Sequence, residues 1–265
     1  MNIKSKINYY KTNIPLVTKR FLRYKTLDMF DAVEIETNTE CNRKCVNCPN
    51  FLFEREKGLM ETNLYKKIIN ELSETKYNGR LSPHFYNEPL LDKRLLLLMS
   101  YTRDKLPEAF ICVYTNGDLL DRKLFDELIE AGVDNFFITQ YDEELSNSLR
   151  ELMNSLDEKE KKKLTVRVFG DKETFKFNRG GILKINSNKF SSCSYPSTTL
   201  VIDWKGRVLL CCNDYFSEHI FGDLKTEKLM NIWKKEHFHQ TRKEIKRGIF
   251  NRDICRSCSG MEEKK

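Results

Sequence analysis

The apolar positions of this 265-residue chain follow two periods that alternate up to about residue 170. Short runs rich in β-branched and aromatic residues predict strands at 33–36, 81–86, 110–114, 136–139 and 164–169. The stretches between them carry apolar residues at helical spacing and predict helices at 62–75, 93–103, 119–130 and 143–156. Strands that alternate with helices through short loops favour parallel pairing with right-handed crossovers, so the pattern predicts an α/β fold.

Polar residues follow the ends of the predicted strands. A cysteine-rich loop follows the first strand, Asn87-Glu88 the second, Thr115-Asn116 the third and Thr139-Gln140 the fourth. The carboxyl ends of parallel strands lie on one side of a sheet, where α/β enzymes collect their functional groups. The sequence therefore predicts one cleft lined by all four segments.

The pattern changes near residue 178, where Asn178-Arg179-Gly180-Gly181 interrupts the alternation. Residues 200–210 predict a β-hairpin that turns at Lys205-Gly206, and an amphipathic helix follows near residue 230. We therefore expect three parts: a basic extension over 1–30, a strand–helix domain over 31–178 and a small C-terminal domain over 179–265.

Composition and charge narrow the class of protein. Hydrophobic residues make up 40% of the chain and charged residues 32%, which is typical of a globular protein. Residues 1–30 carry +6 of the net charge of +7, so the body is close to neutral and nucleic acid is not the expected partner. The sequence contains no apolar run near the ~20 residues of a membrane span and no secretion signal, so we expect a cytoplasmic protein.

Nine cysteines carry the strongest chemical signal. Their odd number and the expected reducing compartment argue against a disulfide framework. Cys41, Cys45 and Cys48 form a C-x3-C-x2-C triplet in the loop after the first strand. Three thiolates can hold three corners of a 4Fe–4S cluster and leave the fourth iron open to a small molecule. A zinc loop or chance clustering is the alternative.

A second group of cysteines lies outside the strand–helix part and consists of Cys193, Cys211, Cys255 and Cys258. Four thiolates complete a closed site, and the spacing fits tetrathiolate zinc as well as an iron–sulfur cluster. Spacing also leaves open whether Cys211 or its neighbour Cys212 is a ligand.

The cysteine triplet resembles the signature of the radical S-adenosylmethionine (radical SAM) superfamily, and the resemblance extends from residue 33 to the C-terminal cysteines. It implies a partial (β/α)6 barrel with a small C-terminal twitch domain, a β-hairpin plus helix related to the SPASM domain. It also implies two 4Fe–4S clusters, S-adenosylmethionine, and flavodoxin or ferredoxin as the electron donor. For the second cysteine group, it favours an auxiliary cluster with Cys211 as a ligand.

The resemblance also assigns residues to the cofactor. Superfamily members hold the methionine amino group of S-adenosylmethionine with a Gly-Gly-Glu-like motif. The segment 84–89 stands in that place and keeps Glu88 without the glycines. We expect Glu88 to accept a charge-assisted hydrogen bond from the ammonium group. The other residues expected to face the cofactor are Asn87, Thr115, Asn116 and Gln140.

Within the superfamily, the chain is similar to dehydrogenases that oxidise a ring alcohol of an aminocyclitol to a ketone. That similarity implies a substrate pocket lined by Tyr86, Tyr114 and Arg179, and Asp214 is a further candidate acceptor for a substrate hydroxyl or amine. We therefore predict an oxidoreductase that removes hydrogen from a secondary alcohol of a cyclitol or sugar. The auxiliary cluster is expected to take the second electron. Asn213 stands where those dehydrogenases carry an acidic residue.

Two other functions stay open. A radical SAM epimerase or peptide-modifying enzyme would use Cys212 or Cys112 to return a hydrogen atom to the substrate radical. A metal-stabilised binding module without catalysis would hold nucleic acid through the basic extension, with an affinity that falls steeply with salt.

Overall fold

The computed structural model of the protein describes residues 18, 20–142, 144–168, 178–184 and 189–260. Its strands are β1 (Ala32–Ile35), β2 (Arg80–Ser82), β3 (Phe110–Thr115), β4 (Asn135–Gln140), β5 (Leu164–Val168), β6 (Thr199–Ile202), β7 (Arg207–Leu209) and β8 (Ile220–Asp223). These eight strands form one sheet in the order β5-β4-β3-β2-β1-β6-β7-β8. The basic extension lies largely outside the described residues.

Parallel pairing joins the first six strands. Strands β7 and β8 continue the sheet in antiparallel pairing beyond β6. Because β5 and β8 are the two edges, the sheet of the described residues does not close on itself. The predicted partial (β/α)6 barrel is thereby confirmed.

The described helices lie mostly between the strands along the chain, and the last three follow β8. They are α1 (Pro49–Leu52), α2 (Thr62–Glu74), α3 (Leu95–Lys105), α4 (Arg122–Glu130), α5 (Asn147–Ser155), α6 (Glu158–Lys161), α7 (Tyr195–Thr198), α8 (Leu229–Trp233), α9 (Glu236–Lys246) and α10 (Asp253–Ser259). The predicted helices at 119–130 and 143–156 begin too early. Asp121 and Ser146 cap the observed starts, because each side chain accepts a hydrogen bond from a backbone N–H of the first turn.

The second predicted strand, 81–86, is too long. Strand β2 ends at Ser82 because the next residue, Pro83, has no backbone N–H to donate to a neighbouring strand. The chain then turns, and the Asn87 side chain closes this turn from both ends. Its Oδ1 accepts from the backbone N–H of Phe85 at 2.9 Å, and its Nδ2 donates to the carbonyl of Pro83 at 3.3 Å.

The predicted C-terminal hairpin is present but is not isolated from the barrel. Strand β6 pairs with β1 in parallel, with Glu34 opposite Val201, so the sheet continues from the strand–helix part into the C-terminal part. Gly206, at φ +86°, permits the tight turn between β6 and β7. The sequence pattern does not reveal the parallel pairing or the third strand, β8. The domain division at 178/179 stays a prediction.

Strand β1 separates two environments. Val33 and Ile35 are fully buried in the main hydrophobic core against the helices. Side chains alternate along a strand, so Glu34 and Glu36 point to the opposite face, which is the interior of the partial barrel. Both carboxylates are buried, which makes this interior polar and charged.

The segment just before β1 is fixed to the C-terminal helices. The Asp28 carboxylate accepts from Arg242 Nη2 at 2.9 and 3.1 Å, and His239 Nδ1 lies 2.8 Å from it. The Trp233 indole N–H donates to the Asp28 carbonyl at 3.1 Å. The described helices include none long and apolar enough to cross a membrane.

Candidate active site

The first cysteine group occupies the loop after β1. The backbone N–H of Cys48 donates to the Cys45 carbonyl at 3.0 Å, and helix α1 starts directly after Cys48. Burial, together with the neighbouring thiols of Cys48 and Cys41, raises the pKa of Cys45 to about 11. The three thiols are therefore close enough to repel one another as thiolates, and all three are free rather than in disulfides. A cluster that takes three thiolates suits such a set.

The loop after β3, two strands away from β1 in the sheet, holds the cysteine loop in place. Arg43 forms a bidentate pair with Asp118, from Nε at 2.6 Å and from Nη2 at 2.5 Å. Asn42 donates to the same carboxylate at 2.9 Å and accepts from the Asn116 side chain at 2.8 Å. A planar guanidinium on a carboxylate fixes orientation as well as distance, so the cysteine loop is anchored to the loop after β3.

Glu88 lies beside this anchor and has a fixed orientation. Its Oε1 accepts from the Thr115 hydroxyl at 2.7 Å and from the backbone N–H of Leu90 at 3.1 Å. Its Oε2 accepts from the backbone N–H of Asn116 at 2.8 Å. Burial raises the pKa of the Glu88 carboxyl group, although these hydrogen bonds oppose that change. Gln140, at the end of the neighbouring strand β4, donates to the Asn116 carbonyl and accepts from the backbone N–H of Ser146 at 2.8 Å.

The predicted cofactor residues therefore divide into two groups. Glu88, Thr115, Asn116 and Gln140 form one hydrogen-bonded network that reaches the cysteine loop through Asn42. Asn87 points its side chain into its own turn instead, where both ends of its amide are used.

Tyr86 and Arg179 meet at the open end of the barrel. The guanidinium carbon of Arg179 lies 5.8 Å from the Tyr86 ring centroid, and Tyr215 packs edge-on against the same ring at 5.0 Å. Tyr86 is 7% exposed, and its hydroxyl has no hydrogen-bond partner among the described residues. A buried hydroxyl without a partner marks space that a polar ligand or water can occupy.

Tyr86 also lies between the two cysteine groups. Burial raises the pKa of its phenol, the charge of Arg179 lowers it, and the thiols of Cys212, Cys211 and Cys48 raise it further. The Tyr86 side chain is therefore close to thiols of both cysteine groups.

Tyr114 belongs to a partly buried chain of polar groups inside the barrel. Its hydroxyl accepts from Arg80, and Arg80 donates through its other terminal nitrogen to Glu34 Oε1 at 3.0 Å. The Tyr195 hydroxyl donates to Glu34 Oε2 at 2.8 Å. Burial raises the pKa of Glu34, and the Arg80 charge opposes that change.

Sequence reasoning did not select Glu34, Arg80 or Tyr195. The signal that could have found them is the Val33-Glu34-Ile35-Glu36 run, where carboxylates alternate with apolar residues in a strand that is buried on both faces. Charged side chains in such a strand need partners from other strands, and Arg80 on β2 supplies one. His84 lies close by, and burial together with the charges of Arg179 and Arg80 lowers its pKa to about 4.

The second cysteine group collects around helix α10. Burial, together with the thiols of Cys193 and Cys258, raises the pKa of Cys255 to about 12. The thiols of Cys212 and Cys255 also raise the pKa of Cys211, so all four predicted ligands lie near one another. The four thiols are free rather than in disulfides. In the part of the chain that the structure describes, no three potential ligands come close enough to hold a single metal ion.

Asp214 hydrogen-bonds to nearby backbone groups. Its Oδ1 accepts from the backbone N–H of Glu218 and its Oδ2 from that of His219, both at 3.0 Å, and the side chain is 2% exposed. These bonds close the loop that follows Cys211. Each carboxylate oxygen can accept a second hydrogen bond, so contact of Asp214 with a substrate hydroxyl or amine stays a prediction.

Comparisons with known proteins agree with this geometry. A model of the radical SAM superfamily matches residues 35–184, and a model of SPASM, an iron–sulfur cluster-binding domain, matches residues 193–259. The chain is 34% identical over 238 residues to an S-adenosyl-L-methionine-dependent 2-deoxy-scyllo-inosamine dehydrogenase from Niallia circulans, covering 88% of this chain and 94% of the relative. A PqqA peptide cyclase from Granulibacter bethesdensis is 28% identical over 117 residues, which is 43% of this chain and 30% of the relative.

Solved structures give the same result. The crystal structure of BtrN in complex with AdoMet and 2-DOIA has a TM-score of 0.80 at 35% identity, covering 87% of this chain and 93% of BtrN. BtrN in an open conformation has a TM-score of 0.69 at 30% identity, covering 88% and 94%. The chain therefore belongs to the radical SAM superfamily, as an enzyme that uses S-adenosylmethionine and a 4Fe–4S cluster and carries a SPASM domain for an auxiliary iron–sulfur cluster.

Proposed function

We propose that this protein is a radical SAM dehydrogenase that oxidises a secondary alcohol of an aminocyclitol or a related sugar to a ketone. The observation that carries the proposal is the pocket around Tyr86. Its buried hydroxyl lacks a partner among the described residues, Arg179 lies over its ring, and thiols of both cysteine groups are near it. A small polyol fits between such groups, since phenols and a guanidinium can all donate to hydroxyl oxygens.

The proposed cofactor site uses the cysteine loop and the Glu88 network. Cys41, Cys45 and Cys48 would hold the first cluster, and its cleavage of S-adenosylmethionine supplies a 5′-deoxyadenosyl radical. Glu88 would accept from the methionine ammonium, and Thr115 and the Asn116 backbone keep its carboxylate in place for that contact. Gln140 supports Asn116 through its carbonyl. Asn87 shapes the turn that presents Glu88.

The proposed substrate residues are Tyr86, Tyr114 and Arg179. The Tyr114 hydroxyl accepts from Arg80 and would turn its own proton toward a substrate oxygen. Arg179 carries a permanent charge that would stabilise negative charge developing on the alcohol oxygen.

Oxidation of an alcohol also releases the hydroxyl proton and a second electron. We assign the proton to solvent water, because the Arg80 guanidinium, which stays protonated, lies between Tyr114 and the buried Glu34 carboxylate. We assign the electron to the auxiliary cluster on Cys193, Cys211, Cys255 and Cys258. Flavodoxin or ferredoxin would supply the electron that starts each turnover.

The test is a product analysis with reconstituted, reduced enzyme and a panel of aminocyclitols that includes 2-deoxy-scyllo-inosamine. The proposal predicts one 5′-deoxyadenosine per ketone and a product lighter by two hydrogens. A product of unchanged mass, or no product from any cyclitol or sugar in the panel, contradicts it.

A second candidate function rests on Cys212. This thiol lies in the same pocket, close to Tyr195, Glu34 and Arg179, all of which affect its pKa. An epimerase would use it to return a hydrogen atom to the substrate radical. Turnover in deuterated water distinguishes the epimerase from the dehydrogenase. An epimerase gives an isomer of the substrate in which one carbon-bound hydrogen is replaced by deuterium from the solvent. That label should disappear in Cys212→Ala, whereas a dehydrogenase gives the ketone in both proteins.

A further inference from the structure

The sulfur of Cys258 accepts two hydrogen bonds. Asn213 donates to it from Nδ2 at 3.2 Å, and the backbone N–H of Gly180 also hydrogen-bonds to this sulfur. The orientation of the Asn213 amide follows from chemistry, since a thiolate can only accept and the amide nitrogen is the donor end. The amide oxygen lies on the other side, 3.9 Å from the Cys212 sulfur.

The Gly180 contact depends on close packing between two segments. The turn Arg179–Gly181 lies against helix α10, which carries Cys255 and Cys258. Asn178 joins the two by donating from Nδ2 to the Ser257 carbonyl at 2.7 Å. A Cβ atom on Gly180 would lie 2.7 Å from Ile254, and one on Gly181 would lie 2.6 Å from Ser257. Only glycine allows the backbone this near to the helix.

Hydrogen bonds to a cluster sulfur change the reduction potential. An N–H group directed at a thiolate stabilises the form with more negative charge, which is the reduced cluster. A neutral amide donor at this position therefore raises the potential, whereas a carboxylate of the same size would remove the donor and add a repelling charge. The auxiliary cluster must accept an electron from a substrate radical, so a higher potential favours its task.

We propose that Asn213 is a tuning residue for the auxiliary cluster, which raises its reduction potential through the hydrogen bond to Cys258. The Gly180 bond adds a second donor from the same turn that carries Arg179, the proposed substrate contact. Substrate held by Arg179 and the acceptor of its electron are thus connected through one short turn. This inference rests on the part of the proposed function that makes Cys258 a cluster ligand.

The experiment is a redox titration of the auxiliary cluster alone, followed by electron paramagnetic resonance. Replacing Cys41, Cys45 and Cys48 with alanine removes the first cluster, so the remaining signal belongs to the second. Asn213→Leu and Asn213→Asp are compared with the parent in this background. The control is Asn251→Leu, which removes an exposed asparagine of the same C-terminal region that donates to Glu244 instead of a cysteine.

We expect Asn213→Leu to change the oxidised-to-reduced ratio at a fixed potential by about tenfold, or about 59 mV toward more negative values for one electron. Asn213→Asp should shift the potential further in the same direction, and Asn251→Leu should leave the potential unchanged. If the leucine variant loses its iron, the aspartate variant, which keeps the shape of asparagine, decides. Unchanged potentials in the Asn213 variants overturn the inference. A parent that binds no second cluster instead overturns the ligand assignment. A shifted potential, together with no ketone from the enzyme that keeps both clusters, overturns only the dehydrogenase proposal.

Discussion

The guanidinium carbon of Arg179 lies 5.8 Å from the ring centroid of Tyr86. Tyr86 comes from the turn after β2, and Arg179 belongs to the short turn that packs on the cysteine helix α10. Arg179 adopts φ +52°, a left-handed conformation that costs free energy for a residue with a side chain. Such strain is typical of positions where function fixes a side chain.

Replacing Arg179 should therefore affect turnover more than folding. We expect Arg179→Gln to reduce ketone formation by about 100-fold or more, because the pocket loses its charge for the alcohol oxygen. Arg179→Lys should recover part of the rate, since it keeps the charge but loses the planar fork. Iron content should match the wild type, and the exposed Arg247→Gln should change neither quantity. Equal rates in Arg179→Gln and the wild type would remove Arg179 from the substrate pocket.

Glu88→Gln should weaken the binding of S-adenosylmethionine. A hydrogen bond to a charged group contributes about 1.5–3 kcal/mol, so the dissociation constant should rise by roughly 10- to 100-fold. Titration calorimetry on the anaerobic enzyme measures it directly. Glu40→Gln is the matched control, because Glu40 is an exposed carboxylate beside the same loop that pairs only loosely with Lys57, at 3.6 Å. Similar affinities for the two variants would contradict the role given to Glu88.

Serine variants of the adjacent cysteines should differ in iron content. We expect Cys211→Ser to lose the auxiliary cluster and about four irons per chain, and Cys212→Ser to keep both clusters. Iron and sulfide analysis after anaerobic reconstitution measures both. The opposite result would make Cys212 the ligand and would change which thiol faces the pocket.

Much of the fold follows from the sequence because strand and helix periods are local properties. The long-range pairing of β6 with β1 does not, since residues 200–210 look the same whether their first strand pairs with the barrel or with its own hairpin alone. The cysteine ligands and Glu88 could be proposed from the sequence because their spacing or motif is distinctive. Glu34 was missed because the hydrogen bonds of its carboxylate come from Arg80 and Tyr195, which are distant in sequence. The Asp214 carboxylate accepts hydrogen bonds from nearby backbone N–H groups, which no sequence pattern predicts.

Removing the Asp28 carboxylate should destabilise the protein. Arg242 is 2% exposed, and burial lowers the pKa of its guanidinium while the Asp28 charge raises it. Asp28→Ala leaves this cation buried without its partner, which should cost about 1–3 kcal/mol of unfolding free energy. Denaturant titration measures the loss. Asp104→Ala, at an exposed carboxylate beside Lys105, should change stability by less than about 0.5 kcal/mol, and equal effects of the two variants would contradict the prediction.

His84 should make stability depend on pH in a defined window. Burial and the charges of Arg179 and Arg80 lower its folded pKa to about 4, against 6.5 in the unfolded chain. The unfolded state therefore takes up a proton first, and the stability that neutral His84 contributes above pH 6.5 is lost as the pH falls toward 4. The loss is at most about 1.4 kcal/mol per pH unit. The free energy of unfolding should fall more between pH 6.5 and 5 for the wild type than for His84→Gln. Parallel curves of this free energy against pH would contradict the assignment.

The most direct test of alcohol oxidation follows one hydrogen atom. A cyclitol substrate carrying deuterium on the carbon to be oxidised is given to the reduced enzyme with S-adenosylmethionine, and the nucleoside and the cyclitol product are analysed by mass spectrometry. Our account predicts one deuterium transferred to 5′-deoxyadenosine for each ketone formed. Deuterium that stays in the cyclitol product, or ketone formed without labelled 5′-deoxyadenosine, would contradict it.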